Sequence, residues 1–535
     1  MAATAALRSY EDLPYGQLID YAGTDTYVTL LLLKRLWPVI SKQPRYTEFY
    51  DNGYSREVLA PSLLSEALSV KHPALEFIVD MEVHGLPYDV PGNIEMGKRM
   101  VQEIDSLTEE IWAGIGERTQ GQVINLDSSA DLGKLLYSTY TMTPPFQTKG
   151  GDDSTSGDAI LELAKNYKMY PWLKPLARRR NVVSMFRSFI ETYVERWVKS
   201  DGCVHPEYNL FGTSSHRISS DNPNLLNLPR FDTSAPYDLR SLYLAPRGCA
   251  FLTLDFSSCE VKVLAALCGD EKMIEAILSG KDFHTYTASI INNIPYDEMR
   301  AVLKTPEAEL DANPALKEVY RKFKKLRQAA KETTFGLLYG SSEGAIAGKL
   351  GITLDEVKAI LAAYFQTFPK IKNFIDNAHK MARANGFVFT KFGQRKMEAG
   401  AMDLYKGTAV HNAALRNAQN VLIQSTASTL GLMAFTQVNN ALKKIGGGVM
   451  CTVYDSIEAY VPIPRIAEAV EIGFTYMDDW PQKEFDWLTF PIGADAEIGF
   501  DWGDSLKKVH RGVTQEECLN LLSHANHERF LAEAA

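Results

Sequence analysis

Residues Phe251 to Leu267 read FLTLDFSSCEVKVLAAL. The apolar, β-prone run Phe251-Leu252-Thr253-Leu254 reaches Asp255, and Phe256, Ser257 and Ser258 lead into a helical pattern from Glu260 to Leu267. A strand that delivers one carboxylate at its C-terminal end, just before a helix, is suited to hold a metal or a phosphate. The same residue there also serves as an ordinary N-cap, so Asp255 alone decides nothing. Asp455 lies 200 residues downstream, at the end of a second apolar run, Val449 to Val453, introduced by Gly446-Gly447-Gly448. Tyr454-Asp455-Ser456 makes the tip and Ile457 to Val461 the return strand of a β-hairpin. Two such strand-end carboxylates could share a pair of Mg²⁺ ions about 4 Å apart, since magnesium keeps waters and substrate oxygens as its other ligands.

Two helical stretches repeat functional side chains every four residues. Arg327, Lys331, Phe335 and Tyr339 form one stripe, with Gly336 and Gly340 after the two aromatics. Two cations followed by two rings suit a nucleotide, the cations meeting the triphosphate and the rings the sugar and base. The glycines would let another chain or a base come close. Arg416, Asn420 and Gln424 repeat the spacing with groups suited to sugar edges, minor-groove acceptors and phosphate. A core-facing aromatic stripe and a solvated helix face are the plainer readings of the two patterns.

The 535 residues are 45% hydrophobic and 23% charged, a composition ordinary for a chain of several globular domains. Apolar runs are shorter than a membrane span, Tyr27 to Leu33 giving way to Lys34-Arg35, and a signal-peptide pattern is lacking. Cys203, Cys249, Cys259, Cys268, Cys451 and Cys518 show no CxxC and no histidine-paired spacing, which predicts thiols in a reducing compartment and no zinc site. The net charge of −10 argues mildly against a nucleic-acid partner, but basic runs at Lys174 to Arg187 and Lys317 to Lys331 can still line a cleft.

In chain order, periodicity predicts a helix from Leu18 to Leu36 stopped by Pro38, then a long helical pattern from Pro73 to Arg118 broken at Gly85-Leu86-Pro87. Asp127 or Ser128 should cap the helix Ala130 to Tyr137, a loop should span Pro144 to Ser156, and helices should follow at Ser156–Tyr167 and Trp172–Lys199. A strand is expected at Cys203 to Asn209, and a polar loop or contact surface at Thr213 to Arg230. Gly269 to Gly400 reads almost wholly helical, Tyr405 to Leu430 as a long helix, Ala494 to Gly499 as a strand, and 503–535 as a polar helical tail.

In this order the motifs resemble those of the family A DNA polymerases, of the bacterial polymerase I and T-odd-phage type. DFSSCEVK from Asp255 is similar to their motif A, DYSQIELR; RQAAKETTFGLLYG from Arg327 matches motif B; Tyr454-Asp455-Ser456 stands at motif C, HDE. Thr213 to Pro229, Asp282-Phe283-His284, Arg416 to Gln424 and Asp495 to Trp502 extend the likeness over about 76–505. The resemblance implies an α+β right-hand fold with an antiparallel palm sheet and helical thumb and fingers. The implied limits are an exonuclease remnant at 1–75, thumb 76–204, palm 205–270 and 401–510, fingers 271–400, and a helical tail 511–535. It implies addition of dNTPs to a primer 3′-OH on a DNA template with release of pyrophosphate, using two Mg²⁺ ions for which Mn²⁺ can substitute.

By the same resemblance Asp255, Asp455 and the Phe256 carbonyl would bind metal. Arg327, Lys331 and His284 would grip phosphates, with Lys331 also a proton donor to pyrophosphate. Phe335, Tyr339 and Ser258 would meet the dNTP and Glu260 would exclude a 2′-OH. Arg217, Asn224, Asn227, Arg416, Asn420, Gln424 and Tyr454 would hold DNA. Departures from the pattern are Tyr454 for His, Ser456 for the second motif C acid, His216 for Gly, Ser258 for Gln, Thr334 for Asn and Lys262 for Arg. Phe335 implies poor acceptance of dideoxynucleotides. Tyr21 and Asp25 are similar to the third motif of a 3′–5′ exonuclease, whose other motifs are absent from this sequence. No proofreading is expected from this chain alone; a separate chain could supply the missing half. A processivity factor or a replisome helicase or primase are further partners the resemblance suggests, with the cytoplasm of a bacterium or phage-infected host as location and no membrane. A single-subunit RNA polymerase and a non-catalytic DNA-binding replisome component are the alternatives; Glu260 speaks against the first, and intact Asp255, Lys331 and Asp455 against the second.

Overall fold

In the computed structural model the described residues are 15–43, 45–49, 55–59, 62–115, 124–148, 150–231 and 237–525. Cys249–Phe256 is the central strand of a five-stranded antiparallel sheet. On one side it pairs with Ser456–Pro462, which pairs in turn with Gly448–Val453; on the other lie Ala494–Gly499 and then Lys507–Val509. Ala250, Leu252, Leu254 and Phe256 alternate onto one face, and all four are buried. Helices cover that face: Phe256 packs on Phe435 of Ala409–Lys443 at 5.7 Å, and Gly473 of Ile466–Phe474 lies against Leu254, whose methyls a Cβ would meet at 2.6–2.7 Å. Each fully buried large side chain here contributes roughly 1.5–3 kcal/mol.

The opposite face is graded. Phe251 stacks on Trp502 at 6.5 Å, and the next rows toward the strand end are Glu458, Thr253 and Glu497, then Ser456, Asp255 and Asp495. Apolar packing thus gives way within two rows to carboxylates.

The N-terminal helix runs Tyr15–Ile40, through Pro38. In a last turn proline forfeits a single bond, and Ser41 N still donates to Trp37 O at 3.0 Å, so Pro38 does not end it. The side chains of Tyr21 and Asp25 lie outside the described residues. A hairpin, Arg45–Phe49 with Ser55–Leu59, docks on helix Pro369–Asn385: Thr47 N donates to Asn385 Oδ1 at 3.0 Å, Asn385 Nδ2 donates to Thr47 O at 3.1 Å, and Tyr46 lies 4.8 Å from Phe389. His72–His84 and Val90–Ile115 appear as expected, and Ser128, not Asp127, caps Ser129–Gly133; Asp127 instead holds Arg179 and Arg187 at 2.6 and 2.8 Å.

Several expectations are corrected. The helix predicted to Lys199 breaks into Leu173–Phe189 and Tyr193–Trp197, and the strand at 203–209 into Cys203–Val204 and Glu207–Asn209. Ser219–Asp221, inside the expected loop, pairs with Glu207–Asn209. Phe387–Phe389 and Arg395–Met397 make a hairpin inside the supposedly helical region, the long helix is Ala409–Lys443, and Lys507–Val509 extends the central sheet. These short strands owe their existence to a partner rather than to their own composition.

Candidate active site

Four remote segments line one pocket of about 330 Å³: Arg217; Ser258, Cys259, Glu260 and Val261; Phe335 and Tyr339; Tyr454 and Asp455. The sheet brings the two carboxylates together. Asp255 pairs directly with Ser456, the residue after Asp455, and Phe256 N donates to Asp455 O at 3.0 Å, fastening the hairpin tip to the central strand. Tyr454 takes a φ of +59° in that tip and is half exposed. Ser258, at φ +55°, starts the helix Cys259–Cys268 without a side-chain cap, so Asp255 is not an N-cap.

Asp255 Oδ1 is buried without a hydrogen-bond partner, and Oδ2 lies 3.7 Å from Arg230 Nη2. Burial first, then the charge of Asp455, pushes the Asp255 carboxyl up to about 7, with Arg230 opposing. Asp455 stands exposed at the tip, and partial desolvation raises its carboxyl. An orphaned carboxylate oxygen beside a second acid, with Asp495 in the same row, fits a hard divalent cation held through oxygen. Arg230 was missed by sequence reasoning; its only signal was its place at the end of Leu228-Pro229-Arg230.

The first stripe stands on helix Pro314–Leu338. Lys331 Nζ lies over the Phe335 ring at 5.9 Å, Phe335 stacks on Tyr339 at 5.9 Å and 12°, and His284 lies 5.5 Å from Phe335. The stripe faces the cleft, with Tyr339 42% exposed, so it is not simple core. Arg327 grips Asp282 with a two-pronged contact, Nε to Oδ1 at 2.9 Å and Nη2 to Oδ2 at 3.0 Å. Burial would raise the Asp282 carboxyl, but Arg327 and Thr285 hold it at about 2. Arg327 also borders a cleft of about 510 Å³ with Ser258, Lys262, Lys281, Arg300 and Lys304. Gly336 and Gly340 are met by this chain itself: a Cβ would strike Ile346 at 2.8 Å and Arg416 Cβ at 2.7 Å.

Glu260 is buried, and Arg217 Nη2 donates to its Oε1 at 2.5 Å. The Arg217 guanidinium also lies over the Tyr454 ring at 5.3 Å, and the Tyr339 hydroxyl reaches Glu260 and Arg217. Arg416, Asn420, Gln424 and Ser428 are half-buried at intervals of four on a helix otherwise largely buried from Ala414 to Leu430. Ser428 Oγ donates to the His216 carbonyl at 3.3 Å, so this stripe leads to Arg217. Asn224 and Asn227 are exposed, and the Asn224 side chain accepts from Leu226 N at 3.0 Å.

Away from the cleft, Asp201, Cys203 and His205 bring their ligand atoms within 4.8 Å of one another, a grouping the spacing argument overlooked. His205 Nδ1 donates to Glu82 O at 2.7 Å and Nε2 lies 3.0 Å from Asp201 Oδ2, which closes the turn at Gly202. Cys203, Cys259, Cys268, Cys451 and Cys518 are free thiols, and no helix among the described residues is long and apolar enough to cross a membrane.

The family model for DNA polymerase family A matches residues 93–504. DNA polymerase I of Chloroflexus aurantiacus is 28% identical over 502 residues, covering 93% of this chain and 47% of that protein. The DNA polymerase of Escherichia phage T5 is 26% identical, covering 96% of this chain and 58% of that protein. The chain spans about half the length of the curated relatives it matches. Among solved structures, the POL domain of Pol1 from M. smegmatis in complex with DNA primer-template and dNTP is similar with a TM-score of 0.69 and 25% identity, over 82% of this chain and 71% of that one.

Proposed function

Since this chain belongs to DNA polymerase family A, we propose that it adds deoxynucleotides to a primer 3′-OH under the direction of a DNA template. Members of this family depend on a divalent metal, and for this chain the reading is two Mg²⁺ ions, replaceable by Mn²⁺. The observation that carries it is the pocket where Arg217, Glu260, Phe335, Tyr339, Tyr454 and Asp455 meet beside Asp255.

Asp255 and Asp455, with the Phe256 carbonyl, would hold the ions. Ions held there would supply the chemistry of lowering the pKa of the 3′-OH and neutralising the triphosphate and leaving pyrophosphate. Burial, then Asp455, raises the Asp255 carboxyl to about 7, and a cation held there would favour its charged form. Lys331, beside the aromatic column, would grip the triphosphate and return a proton to pyrophosphate. Arg327 would exchange Asp282 for phosphate, one anion for another in the same fork. Phe335 and Tyr339 offer flat faces to sugar and base. Glu260, held by Arg217 and Tyr339, would fill the space beside the sugar and exclude a 2′-OH. Ser258, Arg217, Asn224, Asn227, Arg416, Asn420, Gln424 and Tyr454 would line the path of the nucleotide, primer and template.

In domain terms, 1–75 would be an exonuclease remnant, 76–204 the thumb, 205–270 and 401–510 the palm, and 271–400 the fingers. The segment 511–535 would be a helical tail, whose described part meets the 401–510 region: Gln515 Nε2 donates to Ile463 O at 2.7 Å, and Cys518 and Leu522 are buried. A separate exonuclease-bearing chain, and a processivity factor, helicase or primase, are further proposed partners.

Primer extension tests the reading. With Mg²⁺, dNTPs should extend a primer and NTPs should not, and Asp255→Asn should lower the rate at least about a hundredfold, removing one carboxylate ligand of the ions. Glu260→Ala should admit ribonucleotides. Absence of extension with any divalent metal would end the enzyme reading, and extension by NTPs in the unaltered chain would favour an RNA polymerase.

A further inference from the structure

The acidic face of the sheet carries a carboxylate that the reaction above does not use. Glu458 sits on the return strand of the hairpin, opposite Thr253 of the central strand and Cys451 of the outer strand, and is 1% exposed. Alternation puts it on the same face as Asp255, one pleat further in, about 7 Å along the strand. Each of its oxygens faces one hydroxyl: Ser456 Oγ lies 3.1 Å from Oε1 and shares its proton with the Val453 carbonyl, also at 3.1 Å, and Thr253 Oγ1 donates to Oε2 at 2.5 Å. The hydroxyls belong to different strands. Ser456 follows Asp455 and pairs with Asp255, and Thr253 precedes Asp255 by two residues on one face. The carboxylate therefore clips the tip that bears Asp455 to the strand that bears Asp255.

Its burial is costly, and a hydrocarbon side chain would pack there more cheaply. Arg240 lies near enough to attract it but donates to Leu228 O at 3.0 Å, and its Nε is buried without a partner. What the acid supplies is a buried link between Ser456 of the return strand and Thr253 of the central strand.

We propose that Glu458 is a positioning residue of the metal centre: through Ser456 and Thr253 it holds the Asp255 and Asp455 pair in place and strengthens the cleft's affinity for a divalent cation. The proposal rests on the polymerase reading of that centre. The test is Mn²⁺ binding to the full chain without DNA, followed by the electron paramagnetic resonance of free Mn²⁺, alongside the Mg²⁺ concentration for half-maximal extension. Glu458→Gln should weaken Mn²⁺ binding about tenfold and raise the Mg²⁺ requirement by a like factor, while kcat at saturating Mg²⁺ changes less. Ser456→Ala should reproduce most of the loss, and the double variant should be no worse than Glu458→Gln. A purely structural role would lower the melting temperature and leave metal dependence unmoved. Mn²⁺ affinity within about twofold of the unaltered chain in Glu458→Gln overturns the proposal. If that variant does not fold, Ser456→Ala decides by the same criterion. Mn²⁺ binding that Asp455→Asn leaves intact would overturn the reading of the centre itself.

Discussion

His284 stands against the aromatic column, 8% exposed, with Nδ1 buried and unpartnered. Burial depresses its pKa to about 4; Arg327 and Lys331 push the same way and Asp282 opposes. At neutral pH it is uncharged, so its proposed grip on a phosphate is a hydrogen bond rather than an ion pair. The folded value lies below the unfolded 6.5, so the stability it contributes is complete above 6.5 and lost as pH falls toward 4, up to about 3 kcal/mol. Urea denaturation of metal-free protein at pH 7, 5 and 4 should show a shallower decline in His284→Gln. His216, also depressed to about 4 chiefly by burial, keeps part of the slope. An unchanged decline in the variant would show that His284 titrates normally. Single residues of this kind were readable only in part. Asp255 and Asp455 each interrupt an apolar run, and that leaves a mark in the sequence; Arg230 and Glu458 gain their meaning only from what lies opposite them in space.

At the scale of elements, Asn439 joins a helix to two neighbours. Its Nδ2 donates to Asp80 Oδ2 at 2.8 Å, its Oδ1 accepts from Val449 N at 3.0 Å, and it is 1% exposed. Asn439→Ala would leave a buried backbone N–H at the first turn of the hairpin strand unsatisfied, a loss of about 1–3 kcal/mol. Chemical denaturation should register it, and a midpoint equal to that of the unaltered chain would mean that water replaces the amide. Long elements with a single apolar stripe, such as Val90–Ile115, were legible from periodicity, as was the hairpin around Asp455. Three-residue strands such as Ser219–Asp221 and Lys507–Val509 were not, because polar residues acquire strand geometry there only by pairing. Nor was the continuation of the long helix to Lys443, whose polar Asn439 and Lys443 are engaged by Asp80 and Glu76 from another helix.

Across the whole molecule, the N-terminal hairpin is tied to helix Pro369–Asn385 by the two bonds from Asn385 to Thr47. Asn385→Ala should free the hairpin locally at about 0.5–1.5 kcal/mol per bond and leave global melting nearly unchanged. Faster amide exchange confined to 45–59 would confirm this, and a uniform increase would show that the hairpin is part of the common core. The central sheet behaves in the opposite way, because no part of it can yield alone. Asp255 shares its strand with Leu252, Leu254 and Phe256 on the other face, and a slip of one residue would turn the leucines and the ring toward the cleft and press the acid against the helices. A copy folded in that wrong alignment loses its interior and its chemistry together. Quality control that senses only exposed grease would therefore also clear the inactive copies, and no test of activity would be needed to find them.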